Sequence, residues 1–290
     1  MLNLEYMGVI NMTPNSFSDG NRFNSYQNFL QRFKFLSQEV SCIDIGAESA
    51  APFNSAIDFK EELKRYEEIF FPLLAELDDP NITLSLDTYK IDIFYEVGRK
   101  VLRAWPKTKL VFNDISGKID KDLVRFFKSA PFDFSYIFSH NLAPTRADTV
   151  RHMETVFEGS HEEFLQHLVE YFNLGLKKLF PLKENIWIDP CFGFSKTRSQ
   201  NHFLLKNFSS FLSQVESQVP VVYGVSKKSF LRFPAGKIRD ERSHIELEQM
   251  HSILLFELFQ QQQNKNIIVR GHDPLVLKSA KNIAQIFDLL

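Results

Sequence analysis

A single (β/α)8 barrel is the fold class predicted by this sequence of 290 residues, and three observations predict it. Short apolar segments bounded by turn residues recur eight times, at 6–11, 42–46, 82–87, 109–114, 134–140, 185–189, 220–226 and 266–272. Their brevity and their Val, Ile and Phe content suit strands buried on both faces, as in a parallel sheet. Longer stretches with helical spacing separate them, and every strand-like segment ends on polar residues. Eight strands alternating with helices is the number at which a parallel sheet closes on itself through right-handed crossovers. The alternative, a doubly wound open sheet, lacks the Gly-x-Gly-x-x-Gly turn after its first strand.

Taken in order, the first strand YMGVIN ends at Asn11 and is followed by a helix over 26–40. CIDIG leads to Glu48 and Ser49, then a helix over 58–77; ITLSLD ends at Asp87, before a helix over 89–103. KLVFND ends at Asn113 and Asp114, ahead of a helix over 120–129, and FSYIFSH ends at His140 and Asn141. The next helix starts at Ser160, whose spacing to Glu163 forms a capping box, and runs through Phe164, Leu168, Phe172 and Leu179. NIWID ends at Asp189, before a helix over 201–215. PVVYGVS ends at Ser226 with Lys228 close behind, before a helix over 241–264. NIIVRGH ends at Arg270 and His272, and Asp273 and Pro274 supply an N-cap and a first helical residue for the last helix. The expected organisation is one domain spanning 1–290.

With 44% hydrophobic and 24% charged residues, the chain has the composition of a soluble globular protein with a large core. A net charge of −2 and no cluster of Lys and Arg argue against nucleic acid or an anionic membrane as the main partner. The N-terminus has no basic leader and no apolar run reaches about 18 residues, so a signal peptide and a membrane span are not expected and the cytoplasm is. Cys42 and Cys191 show no metal-ligand spacing and are expected as buried free thiols. Most of the 30 phenylalanines must fill the core.

In a barrel the carboxyl ends of the strands converge on one mouth, where catalytic side chains sit. Taken singly, each polar end has a structural alternative, since Asp, Asn and Ser after a strand often cap a turn. Asp114 and Ser116 before Gly117 fit such a turn, Asp273 a cap, His140 a supporting histidine, and Lys227 with Lys228 a solvated pair. Taken together, Asp87, Asn113 and Asp189 line the mouth with acceptors and one amide, suiting a flat heterocycle rich in N–H groups. Lys228, Arg270 and His272 fall on strands seven and eight, where barrels commonly bind phosphate, and predict an anion cradle. Clustered ligands for a metal hydrolase and a Gly-x-Ser-x-Gly elbow are both absent.

Seven ordered stretches, GVINMTPNSFSDG (8–20), DIGAES (44–49), SLDTYK (85–90), FNDISG (112–117), IDPCFGFSKT (188–197), GVSKKSFL (224–231) and VRGHDP (269–274), closely resemble the motifs of dihydropteroate synthase. The resemblance implies a transferase that condenses 6-hydroxymethyl-7,8-dihydropterin diphosphate with p-aminobenzoate, giving 7,8-dihydropteroate and pyrophosphate for folate synthesis. Sulfonamides would compete with p-aminobenzoate, Mg²⁺ would serve as cofactor, and the protein would pair as a homodimer. By matched positions, Asp87, Asn113, Asp189 and Lys228 would hold the pterin, and Arg270 would stack near its face. Asn11, through Mg²⁺, would grip the diphosphate with Arg270 and His272, while Ser226, Phe194 and the loop of Phe17 would serve substrate binding. The implied catalytic set is Asp87, Lys228, Arg270 and His272.

The chain departs from the family pattern at six positions. Ala50 and Ala51 replace a Thr-Arg pair, Cys191 and Ser195 replace glycines, Lys227 replaces Arg, and Ser139 stands where Met is common. The first departure keeps a non-catalytic or weakened pterin-binding paralogue open as an alternative. A pterin-dependent methyltransferase is another, although it has no use for the SKKS and RGH motifs.

Overall fold

Successive residues of a strand face opposite ways, so each apolar segment delivers one set of side chains inward and one outward. The computed structural model describes residues 3–13, 25–50, 55–216, 218–232, 241–261 and 265–289. Eight parallel strands close in chain order, with the last paired to the first: β1 (Asn3–Asn11), β2 (Cys42–Gly46), β3 (Thr83–Asp87), β4 (Lys109–Asp114), β5 (Ser135–Ser139), β6 (Ile186–Asp189), β7 (Val221–Tyr223) and β8 (Asn266–Gly271). This is the predicted (β/α)8 barrel.

Inside, Met7, Cys42, Val111, Ile137, Val222 and Ile268 form a small apolar plug, capped by Trp187. Because side chains two apart share a face, the same inward set continues from Cys42 to Asp44, from Val111 to Asn113, from Trp187 to Asp189 and from Ile268 to Arg270. The barrel is therefore apolar below and charged above. At the mouth, Asn11, Gly46, Asp87 and Asn113 occupy one rung of neighbouring strands.

The outward set packs under a ring of helices: α1 (Tyr26–Glu39), α2 (Phe59–Arg65), α3 (Phe71–Glu76), α4 (Ile91–Ala104), α5 (Lys121–Ser129), α6 (His161–Leu179), α7 (Arg198–Lys206), α8 (Phe208–Gln214), α9 (Glu241–Gln260) and α10 (Leu275–Ile286). Phenylalanine carries much of this layer. Phe94 of α4 stacks on Phe112 of β4 at 4.4 Å between ring centres, and both are fully buried. Each such ring removed from water contributes roughly 1.5–3 kcal/mol. Cys42 and Cys191 are both free and buried, as expected. No helix among the described residues is long and apolar enough to cross a membrane.

The helix starts follow side-chain chemistry. Ser160 and Glu163 form the expected capping box at the head of α6, and Thr197 with Gln200 forms another at α7. The helix expected over 58–77 is instead two helices joined by a wider π turn, Tyr66–Phe70. Pro72, with no N–H to donate, interrupts the ladder there. The helix expected over 201–215 likewise divides at Asn207. α10 starts at Leu275 with Pro274 as its N-cap, one residue later than expected; Asp273 precedes the cap and forms a turn, its Oδ1 accepting from the Leu275 N–H at 2.9 Å. β7 ends at Tyr223, short of the expected Ser226, because the chain turns: the Lys228 N–H bonds the Val225 carbonyl and Lys227 adopts φ +55°.

Candidate active site

Arg270 is the hub of the mouth. Its Nε donates to Asp44 Oδ2 at 2.7 Å, and its Nη2 lies 2.6 Å from the same oxygen and 2.5 Å from Asp87 Oδ2. Asn113 Nδ2 donates to Asp44 Oδ1 at 3.2 Å, which ties β2, β3, β4 and β8 into one array. Two carboxyl groups share a single guanidinium here. Asn113 Oδ1 and Ser85 Oγ are buried without a hydrogen-bond partner among the described residues. A buried polar atom left in that state costs about 1–3 kcal/mol unless a ligand or water satisfies it.

The electrostatics follow from depth. Burial pushes the Asp87 carboxyl up to about 7, against the pull of Arg270 and with the push of Asp44. Burial raises Asp189 too, although its Oδ1 accepts from the Cys191 N–H at 2.6 Å. Lys228 is lowered, first by burial and then by Arg270, while Asp189 and Asp87 pull the other way. Asp87, Asp189, Lys228 and Arg270 thus act on one another in a single basin. The Lys228 ammonium lies 5.2 Å from the centre of the Phe194 ring. Beside β8, Ser226 Oγ and His272 Nδ1 are 2.9 Å apart, and the His272 N–H also reaches that hydroxyl.

Of the residues singled out from sequence, Asp87, Asn113 and Arg270 meet within this bonded array, and Asp189, Lys228, Phe194, Ser226 and His272 stand beside it. Asn11 ends β1 on the rung of Asp87 and Asn113. Phe17 lies outside the described residues. Arg270, expected in an anion cradle, has its Nε and Nη2 committed to carboxylates, because parity places Asp44 and Asp87 beside it. Asp114 and Ser116 form the expected turn, Asp114 Oδ1 accepting from the Ser116 N–H at 3.0 Å and its Oδ2 from Arg146 at 2.8 Å. Glu48 does not join the array. It accepts from the Ile57 N–H at 3.0 Å and pairs with Lys90, which also bonds Glu62 at 2.7 Å, so it fastens the second loop from outside.

Sequence reasoning passed over Asp44 and Lys196. Asp44 carried a signal: it is the one charged residue within the apolar run CIDIG. Lys196 lies within the motif IDPCFGFSKT, but only the fold shows its partners: its Nζ reaches His140 Nδ1 at 2.9 Å, the Phe194 carbonyl at 3.0 Å and the Cys191 carbonyl at 3.2 Å. Burial pulls Lys196 down to about 7. Its bonds staple the loop after β6, where Cys191, Gly193 and Ser195 have φ of +50°, +87° and +49°. The substituted glycines therefore keep a left-handed backbone, at a cost of roughly 1–2 kcal/mol for each non-glycine residue. Ser195 Oγ offsets part of this by accepting from the Leu142 N–H at 3.0 Å and donating to the His152 carbonyl at 2.9 Å.

Residues 7–262 match the model of the pterin binding enzyme family. The chain is 30% identical over 228 residues to dihydropteroate synthase of Streptococcus pyogenes serotype M3, covering 78% of this chain and 76% of that one. It is also 30% identical over 238 residues to dihydropteroate synthase of Clostridium beijerinckii, covering 81% and 79%. Among solved structures, the Burkholderia cenocepacia dihydropteroate synthase complexed with 7,8-dihydropteroate shares the fold with a TM-score of 0.73 and 22% identity, over 99% of this chain and 92% of that one. These relatives favour neither the methyltransferase nor the non-catalytic alternative. A pterin-binding family match across most of the chain and synthase relatives at this identity establish that the chain belongs to the dihydropteroate synthase family of transferases.

Proposed function

We propose that this protein condenses 6-hydroxymethyl-7,8-dihydropterin diphosphate with p-aminobenzoate at the mouth of the barrel, releasing pyrophosphate. The observation that carries the proposal is the Asp44–Arg270–Asp87–Asn113 array, whose acceptors, donors and unbonded Asn113 Oδ1 suit a ring edged with N–H groups and ring nitrogens. In this assignment Asp87, Asn113, Asp189 and Lys228 hold the pterin. Arg270 braces Asp87 and, with His272, faces the diphosphate, while Ser226, Phe194 and Phe17 serve the aminobenzoate.

The chemistry requires no protein nucleophile. The bond between the exocyclic methylene and the diphosphate oxygen breaks with its electron pair leaving on oxygen. The amino nitrogen of p-aminobenzoate then forms the new C–N bond and releases a proton to solvent. Asp87 and Asp189 stabilise positive charge spreading into the pterin, and Lys228, Arg270 and His272 stabilise the departing anion. These groups are already held in place, so little reorganisation is needed as charge develops.

Mg²⁺ fits the residues present. Among the described residues no cluster of three His, Cys, Asp or Glu forms a complete cation site, and Mg²⁺ commonly takes one or two protein oxygens with substrate phosphates and waters. Asn11 Oδ1 would be such an oxygen; it lies 3.4 Å from where a Cβ on Gly46 would stand, so the glycine keeps bulk away from it. Bound there, Mg²⁺ would neutralise charge on the leaving diphosphate.

Turnover tests the proposal directly. Purified protein with Mg²⁺ and both substrates at saturation should form dihydropteroate, with sulfonamides competing against p-aminobenzoate; pterin binding without turnover would leave only the binder. Restoring the family's loop cation by Ala51→Arg is expected to lower KM for the pterin diphosphate roughly 10- to 150-fold, the effect of one charge-assisted contact. An unchanged KM would mean that this loop serves another purpose.

We also assign the protein to the cytoplasm and to a homodimer formed through α9 and α10. Of the apolar residues on α9, Leu258 is buried and Phe256 packs inward, whereas Ile253 is 64% exposed. Ile286 and Phe287 at the end of α10 are 78% and 62% exposed, and Phe287 contacts Phe256. A second copy would cover this shared face. Ile253→Glu combined with Ile286→Glu should give a monomer by sedimentation, while an unaltered mass would place the interface elsewhere.

A further inference from the structure

His152 belongs to the short 3-10 segment Arg146–Glu154 between β5 and α6, in the stretch where the motif resemblance is weakest. Its side chain is nevertheless fully buried and touches two other loops. Its ring stacks on Phe194 at 4.0 Å between centres, with 16° between planes. Its Nε2 lies 3.0 Å from the Ala50 carbonyl, and its Nδ1 faces the Ser195 N–H at 3.4 Å. A backbone carbonyl accepts and a backbone N–H donates, so these contacts select one state: neutral imidazole with its proton on Nε2. Burial agrees, holding His152 down to about 4, so it stays neutral near pH 7.

The location gives these contacts their meaning. Ala50 begins the substituted part of the second loop, where a Thr-Arg pair is missing. Phe194 borders the site through the Lys228 ammonium. Ser195, which replaces a glycine, is latched to the connection between β5 and α6 through its hydroxyl bonds to the Leu142 N–H and the His152 carbonyl. Three loops that are far apart in sequence therefore meet on one imidazole.

We propose that His152 is a positioning residue that joins the second loop to the Phe194 wall, and so sets the affinity for the aryl substrate without taking part in the chemistry. This rests on the synthase assignment above. His152→Ala removes a ring stack and a hydrogen bond, and should raise KM for p-aminobenzoate about five- to tenfold. kcat and the KM for the pterin diphosphate should stay within about twofold, because the Asp44–Arg270–Asp87 array is untouched. His152→Phe, which keeps the stack and loses the bond to Ala50, should fall between wild type and His152→Ala.

An unchanged KM for p-aminobenzoate, or an equal loss in all three parameters, overturns the proposal. If His152→Ala does not fold, His152→Gln replaces it: it keeps a donor toward Ala50 and loses the stack, and it must also raise that KM. Amide hydrogen exchange provides a readout independent of turnover. Faster exchange in residues 46–57 and 191–196 of the variant supports the coupling, and unchanged exchange in either segment refutes it. If wild-type protein makes no dihydropteroate, the synthase assignment fails while the exchange measurement still decides the coupling.

Discussion

Arg270→Met is expected to destabilise the protein by about 3–5 kcal/mol and to abolish turnover, because it removes one partner of a buried charge network. Asp44 is fully buried and Asp87 partly so, and Arg270 is the cation bonded to both. Without it, two adjacent carboxylates remain in a medium that solvates charge poorly, and one of them must take up a proton. The loss should therefore shrink at low pH, where protonation relieves the repulsion. Adding Asp87→Asn to Arg270→Met should recover part of the lost stability, since the two changes touch the same network. Arg270→Lys retains a charge but not the fork that reaches both carboxylates, and should be intermediate. Denaturant unfolding of the four proteins measures all of this. If Arg270→Met unfolds within about 1 kcal/mol of wild type, the carboxylates are not held as described.

Asp87→Asn should have the second largest effect, weakening the pterin diphosphate roughly 10- to 150-fold through the loss of one hydrogen bond to a charged acceptor. It should also change the pH profile. Burial raises the folded-state pKa of Asp87 to about 7, so affinity that depends on its carboxylate should fall as pH drops below that value. In Asp87→Asn this component should vanish. The stability effect has the opposite sign to that of an ordinary surface carboxylate. Between the unfolded pKa of about 4 and the folded value near 7, the folded protein holds a proton that the unfolded chain releases. Wild type should therefore lose stability relative to Asp87→Asn as pH rises through that window, and the difference should be constant above it. Calorimetric titration of pterin between pH 5.5 and 8.5 tests the first claim, about the span of the titration. Parallel profiles for wild type and variant would show that Asp87 is not the titrating group.

Local patterns made much of the mouth legible. Asp87, Asn113, Asp189 and Arg270 each follow a short apolar run, and a barrel brings the carboxyl ends of such runs together. Side-chain parity extends this: counted from Cys42, it makes Asp44 an inward acid two residues on, within reach of Arg270. Glu48 shows the reverse case. It is polar and follows a strand, yet its carboxylate turns toward Lys90 and the Ile57 N–H, because the loop it belongs to needs an anchor.

By itself, the sequence determined the order of strands and helices, the closure into a barrel and the family, since periodicity, capping residues and motifs are all written within a few residues of chain. Only the tertiary structure decided which polar groups pair. Lys196 with His140, His152 with Ala50 and Arg270 with Asp44 lie 56, 102 and 226 residues apart. Such pairs exist because burial leaves a polar group no water to bond, so it takes whichever partner the closed barrel sets beside it.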